Sequence, residues 1–429
     1  MKNKKKSTKS QSQNSQDDLK DFKQTGKIRH WDKRKLESFV VSSACSLTPE
    51  LKKHGEKMAS CGDFLKFGAC SHVEHGKKLL EAYFCKARLC GMCQWRKSLV
   101  IRKQVVDLVH EHQKEYSSDV PLLLTLTVVN VKGGELNKAI DQMNVAWKRL
   151  TELKVVKGSV RSWFRSLEVT YNKDRDDYHP HFHALLMVPH HYFYKDRGLY
   201  IPHEKWLDLW KKSMRDDRIT QVDIRKVKSR EQGSLESLAG EVAKYATKPS
   251  SYIFENEEGE EEASPKVIEE LYYALKGRRL IGFGGIFSRI RKVKKMVDVE
   301  DANLIHIDEE GVSKQCSCKI CGSTLVEELY GWNFGFKRYR RVPLETQSAE
   351  YRSYKTHSDE EFFGEKGVAS CANKGEQKPS LLLVALKKRA EQEEDNSKEK
   401  MVFSCKVSSS LIPLRGPPLE NFRRGLLDR

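Results

Sequence analysis

The chain has 429 residues, 78 of them Lys or Arg and 60 Asp or Glu, for a formal charge of +18. That balance favours a polyanionic partner, nucleic acid or an anionic membrane face, and the length allows two or three compact domains with tails. No stretch is apolar for long enough to span a bilayer. The lysine-, serine- and glutamine-rich start has no apolar run of the kind a secretory leader carries, so a soluble cytoplasmic protein is expected. Only 38% of the residues are hydrophobic, which predicts that part of the chain has no fold of its own. Eleven cysteines, several in C-x-x-C-like clusters, suit metal or redox chemistry in a reducing compartment better than a disulfide framework.

In chain order, residues 1–40 read as a disordered basic tail with Lys4-Lys5-Lys6 and Ser/Gln repeats. Residues 41–115 are rich in cysteine and histidine and read as a zinc-binding, DNA-binding region, with a helix over Gln104–Tyr116. The apolar, β-branched Leu122–Val131 predicts a buried strand. Ile140, Met143, Ala146, Trp147, Leu150 and Leu153 recur at helical spacing and predict a helix over Leu136–Val156. Val160–Tyr171 and His181–Val188 flank the turn-rich Asn172–Asp177, the pattern of an antiparallel hairpin. A helix over Glu204–Met214, a strand over Val222–Val227 and a helix over Ser234–Thr247, ended by Pro249, follow. This order predicts an α+β fold, a mostly antiparallel sheet with packed helices, over residues 116–295. Glu255–Glu262 reads as a solvated acidic loop. Lys276–Lys295 is basic and Gly-rich, and its Arg278 and Arg279 are candidate DNA contacts. Residues 296–345 form a cysteine- and aromatic-bearing C-terminal module, and 346–429 a mostly disordered tail.

Two constellations carry chemistry. In Tyr178-His179-Pro180-His181-Phe182-His183, residues two apart on a strand share a face, so His181 and His183 project together toward one divalent ion. His179 joins them if the strand reaches back past Pro180. Glu168, on the preceding strand of the hairpin, is the nearest candidate oxygen ligand. In Glu241-Val242-Ala243-Lys244-Tyr245-Ala246-Thr247-Lys248, Glu241 and Tyr245 are one helical turn apart, with Lys248 a turn further on. A neighbouring ammonium or metal makes a phenolate accessible, and a carboxylate one turn away is placed to act as a base toward water.

Together with the upstream L-L-T-L-T strand, these motifs resemble those of the HUH-type plasmid rolling-circle replication initiators, in the subgroup with one tyrosine and a glutamate a turn before it. The resemblance covers roughly residues 61–295 and implies an HUH endonuclease-like sheet in a bacterial, cytoplasmic protein. It implies Mg²⁺ or Mn²⁺ on His181 and His183, Tyr245 as the nucleophile on the origin phosphate, and Glu241 as the residue that activates water to end the cycle. Lys248 matches the lysine commonly found three residues after the tyrosine. In place of an acidic residue often found shortly afterwards stands Pro249-Ser250-Ser251-Tyr252. The implied partners are plasmid origin DNA, double- and single-stranded, a host helicase and polymerase, and a further copy of the chain. Rival readings are an HUH relaxase or single-strand transposase, and a non-catalytic, zinc-stabilised DNA-binding regulator.

Two cysteine groups remain. Cys85, Cys90 and Cys93 form C-x₄-C-x₂-C, and a structural zinc takes four ligands. Cys61 is the preferred fourth because C-G-D-F-L-K-F also resembles the start of that family's N-terminal region; Cys70 or a histidine is the alternative. Arg88, Arg96 and Lys97 around this knot are expected to face DNA phosphates. Cys316, Cys318 and Cys321 form half a zinc ribbon that needs a second pair, with Cys371, Cys405 and the nearer His306 as candidates. The aromatic–basic run from Tyr330 to Arg341 suits either stacking on single-stranded DNA or core packing.

Overall fold

A computed structural model describes residues 17–23, 26–226, 234–243, 249–256, 259–307 and 317–342. Helices α1 (Trp31–Ser46) and α2 (Lys52–Ala59) lead into strands β1 (Phe64–Ala69) and β2 (Lys77–Ala82), and the long α3 (Gly91–Glu115) follows. Next come β3 (Val120–Thr127), α4 (Gly133–Glu152), α5 (Lys154–Ser159), β4 (Ser162–Asn172), β5 (Asp177–Val188), α6 (His203–Met214) and β6 (Val222–Lys226). The chain continues through α7 (Ser234–Val242), a short hairpin of β7 (Ile253–Glu255) and β8 (Glu261–Ala263), α8 (Pro265–Leu275), β9 (Ile281–Gly285) and α9 (Ile286–Val293). Strands β10 (Val326–Asn333) and β11 (Arg338–Arg341) end the described part. This is the α+β class expected: helices on antiparallel sheets.

The larger sheet has the order β6-β3-β5-β4-β9, with every neighbour antiparallel. β5 lies at its centre because its run from Ala184 to Val188 is apolar on both faces and wholly buried. Two prolines stand at the limits of pairing. Pairing between β3 and β5 ends at Thr127↔His181, so Pro180 lies just past β3, and the described pairing of β6 with β3 ends at Leu122↔Lys226, leaving Pro121 outside that ladder. The β4–β5 hairpin turns where the Arg175 backbone N–H donates to Asn172 Oδ1 at 2.9 Å. Its register then sets Glu168 opposite His181 and Ser166 opposite His183.

One face of this sheet carries Phe182, Leu124 and Trp163 against α4 and α6. Trp147 of α4 meets the Phe182 ring edge-on at 5.8 Å, and Trp210 of α6 donates its indole N–H to the Thr127 carbonyl at 2.7 Å. The other face carries the histidines and packs on α3, α7 and α9, where His112 of α3 meets Phe287 of α9 and lies 3.0 Å from Ser162 Oγ. The glycines of Lys276–Lys295 serve close packing here: a Cβ on Gly284 would fall 2.0 Å from the Trp163 ring, and Gly285 has φ +60°.

The second sheet, β11-β10-β1-β2, pairs the two regions expected to be separate modules, 41–115 and 296–345. Residues 17–23 and 26–40 are also part of the fold rather than of a tail. The Leu19 N–H donates to the Tyr339 carbonyl, Trp31 donates to Asp21, and α1 starts at Trp31, which is 2% exposed. No helix among the described residues is long and apolar enough to cross a membrane.

Candidate active site

His181 and His183 share one face of β5, as the two-residue repeat requires. His183 Nε2 lies 2.9 Å from Glu168 Oε2, and His181 Nε2 lies 3.4 Å from the same oxygen. The other ring nitrogens are held from behind. His181 Nδ1 is 3.1 Å from the His179 carbonyl oxygen, and His183 Nδ1 is 3.3 Å from Thr125 Oγ1. A carbonyl only accepts, so His181 carries a proton on Nδ1 and directs Nε2 toward Glu168. Two imidazoles and one carboxylate oxygen, with donor atoms within 4.8 Å of one another, therefore fit a divalent cation such as Mn²⁺ or Mg²⁺ and leave open positions for other oxygens. Outward-facing oxygens behind ligating histidines fix ring orientation in metal sites generally.

His179 is on the same face, since the strand does reach back past Pro180. Its ring stacks on His181 with centroids 5.1 Å apart, but it is not one of the converging donors. Burial first, and then the neighbouring His181, hold His179 below the usual imidazole range. Its part in the site is the backbone carbonyl that orients His181.

Helix α7 is fastened beside this set: Ser166, opposite His183, donates its hydroxyl to the Val242 carbonyl at 2.6 Å. Glu241, one residue earlier, forms an ion pair with Arg225 of β6. Tyr245 and Lys248 lie outside the described residues. Tyr252 is fully buried. Sequence reasoning missed Thr125, Ser166 and Arg225. Thr125 had a signal, because Thr125 and Thr127 alternate with leucine in an otherwise apolar strand and mark the polar face. Ser166 and Arg225 had none, since both act through contacts distant in sequence.

Cys61, Cys85, Cys90 and Cys93 come together as a buried cluster. Sγ separations of 3.6 Å for Cys61–Cys93 and 3.7 Å for Cys85–Cys93 lie far from a disulfide bond of about 2.05 Å. They match the edge of about 3.8 Å expected for a tetrahedron with Zn–S of about 2.3 Å. Cys90 caps α3 and Cys93 lies in its first turn, where the helix dipole favours thiolates. The Lys86 and Cys85 backbone N–H groups donate to Cys93 and Cys61 sulfur at 3.2 and 3.4 Å. Cys45 belongs to no such set, and burial alone pushes its thiol up to about 12.

The cations around this knot do not face solvent as expected. Arg96 is 6% exposed and donates to the Leu304 and Ile305 carbonyls, while Lys97 is fully buried and pairs with Glu300. Arg88 donates to the Leu275 and Arg278 carbonyls, and Arg278 pairs with Asp141 of α4. These four tie α3 and α4 to the segments after α8, a role their sequence neighbours gave no sign of. Arg279 is exposed. It lines a cleft of about 650 Å³ with Arg291, Lys292 and Lys295. In the aromatic run, Tyr330 and Tyr339 are buried whereas Phe334 and Phe336 are exposed.

A model of the replication protein family matches residues 76–340, spanning the histidine strand and most of both sheets, and the chain belongs to that family. Among its relatives is a "Protein rep" of Streptococcus pneumoniae serotype 2 (strain D39 / NCTC 7466), 35% identical over 302 residues, covering 70% of this chain and 91% of that protein. A "Protein rep" of Bacillus amyloliquefaciens is 35% identical over 319 residues, covering 70% and 92%. One of Bacillus sp is 38% identical over 273 residues, covering 60% and 86%. No solved structure matches the chain.

Proposed function

We propose that this chain is a plasmid rolling-circle replication initiator that binds an origin and nicks one DNA strand through Tyr245. The observation that carries the proposal is the convergence of His181, His183 and Glu168 on one point of the central strand, with α7 fastened beside it at Ser166. Membership of the replication protein family supports it. A divalent cation held there supplies Lewis-acid polarisation of the scissile phosphate. Glu168 neutralises charge at the centre, and Thr125 and the His179 carbonyl keep both imidazoles aimed at it. The Tyr245 phenolate oxygen bonds to phosphorus as the 3′-oxygen leaves, giving a 5′-phosphotyrosyl link and a free 3′-OH for a polymerase. One phosphodiester replaces another, so no high-energy cofactor is consumed. Lys248 supports the phenolate, and Glu241 takes a proton from the water that later cleaves the P–O(Tyr) bond. Arg225 orients that carboxylate.

DNA is held along the cleft with Arg279, Arg291, Lys292 and Lys295, whose charges meet backbone phosphates. A Zn²⁺ on Cys61, Cys85, Cys90 and Cys93 fixes the start of α3.

The test is to incubate the protein with Mn²⁺ and single-stranded origin DNA and look for a denaturation-resistant adduct. The wild type forms one and Tyr245→Phe forms none while still binding the duplex. A wild type that binds but never forms an adduct is a non-catalytic regulator, and adduct formation by Tyr245→Phe removes that residue from its role.

A further inference from the structure

We infer that Cys70, His75, Cys318 and Cys321 bind a second structural Zn²⁺, which clasps the β1–β10 pair where it begins. Sequence spacing grouped Cys318 and Cys321 with Cys316 and pointed them toward Cys371, Cys405 or His306, because a zinc half-site normally finds its other half nearby in the chain. Cys316, Cys371 and Cys405 lie outside the described residues. The four donor atoms of Cys70, His75, Cys318 and Cys321 lie within 4.8 Å of one another. Cys70 Sγ is 3.5 Å from Cys321 Sγ and 3.5 Å from His75 Nδ1, and Cys318 Sγ is 3.5 Å from that same nitrogen. A Cys₃His tetrahedron has S···S edges of about 3.8 Å and S···N edges of about 3.6 Å.

The two halves have the local shape of metal-binding loops. Cys318-Lys319-Ile320-Cys321 closes on itself: the Gly322 N–H donates to the Cys318 carbonyl at 2.8 Å, the Cys318 N–H donates to the Ser323 carbonyl at 2.8 Å, and Gly322 adopts φ +74°. Cys70 and His75 frame the loop between β1 and β2, in which His75 ends a 3₁₀ turn. The position is what gives the site a purpose. The last pair of the β1–β10 ladder is Ala69↔Val326, and the nearest ligands, Cys70 and Cys321, stand one residue beyond it on one side and five before it on the other. A metal there joins segments about 250 residues apart, an association whose closure cost strand pairing would otherwise meet alone. Nearby, Lys77 and Glu328 pair at 2.5 Å across the same sheet.

His72 also approaches, with Nδ1 3.7 Å from Cys70 Sγ and its ring stacked on His75 at 4.8 Å. It lies outside the four-donor set and serves as the control residue.

The site is tested on the full chain by elemental analysis and by thiol footprinting. Zinc-replete wild type should hold two zinc ions; Cys318→Ser/Cys321→Ser and His75→Ala should each hold one, and His72→Ala should keep both. Footprinting needs no variant. In zinc-replete wild type, alkylation of Cys70 and Cys321 should be slowed at least about tenfold relative to protein stripped by a chelator, because a metal-bound thiolate is a poor nucleophile. Undiminished zinc in Cys318→Ser/Cys321→Ser, or Cys70 and Cys321 alkylated at the same rate with and without zinc, overturns the inference. Loss of adduct formation with both zinc ions retained bears on Tyr245 and leaves this site standing.

Discussion

A buried imidazole inside a strand ordinarily spends both nitrogens on fixed partners of the protein. His181 and His183 spend Nδ1 on the His179 carbonyl and on Thr125, and both direct Nε2 at one oxygen of the same buried carboxylate. Removing a supporting oxygen should therefore weaken metal binding without removing a ligand. Thr125→Val is expected to reduce Mn²⁺ affinity by about 10- to 100-fold, measured by calorimetric titration, with folding unchanged. Wild-type affinity in this variant would mean that the hydroxyl does not orient the ring. Glu241 makes a second test at this scale. Glu241→Gln keeps the shape of the side chain but removes its basicity, so the variant should nick at a normal rate and accumulate unreleased adduct on gels. Normal release would place the water-activating base elsewhere. Both histidines and Glu168 were legible in the sequence, because alternation on a strand fixes who shares a face. Arg225 was not, since its pairing with Glu241 depends on β6 lying within reach of α7.

At the level of elements, the hairpin of β4 and β5 and helix α6 were expected nearly where they occur, because their apolar periodicity is unbroken. Two helices differ. The one expected over Leu136–Val156 is divided, since Leu153 takes an extended ψ of 133° between α4 and α5. α3 begins at Gly91 rather than near Gln104, because Cys90 and Cys93, read as part of a metal loop, sit at a helix N-terminus, at the N-cap and in the first turn. The Gly-rich centre of Lys276–Lys295 was read only as a basic stretch. It forms the edge strand β9, pressed against Trp163 and followed at once by α9. Gly284→Ala inserts a methyl group where the indole already lies, so it should destabilise the protein by about 1–3 kcal/mol, read from the urea midpoint. An unchanged midpoint would show that Trp163 moves aside freely. On the charged face of α9 and its approach, Arg279→Ala/Lys292→Ala should weaken binding of all DNA sequences alike and shallow the salt dependence by about two phosphate contacts. A sequence-selective loss would instead assign these residues to base reading.

For the whole molecule, the sequence suggested separate modules in series, whereas β1 and β2 share a sheet with β10 and β11. Nothing local announces a partner some 250 residues away, because β1 and β10 each carry only half of a common core. Phe67 and Tyr330 meet edge-on across that junction at 6.0 Å. The same distance in sequence concealed the pairing of Cys70 and His75 with Cys318 and Cys321, while Cys61, Cys85, Cys90 and Cys93, all within one region, were found. The larger sheet brings His181, His183 and Glu168 together and fastens α7 through Ser166. The central claim is that His181, His183 and Glu168 act on the same phosphodiester as Tyr245. It is tested most directly by digesting the Mn²⁺-dependent protein–DNA adduct and sequencing the peptide that carries the nucleotide, with His181→Ala/His183→Ala in parallel. The account predicts the nucleotide on Tyr245 in the wild type and no adduct in the double variant at the same Mn²⁺ concentration. A nucleotide on any other residue, or an undiminished yield without the two histidines, would contradict it.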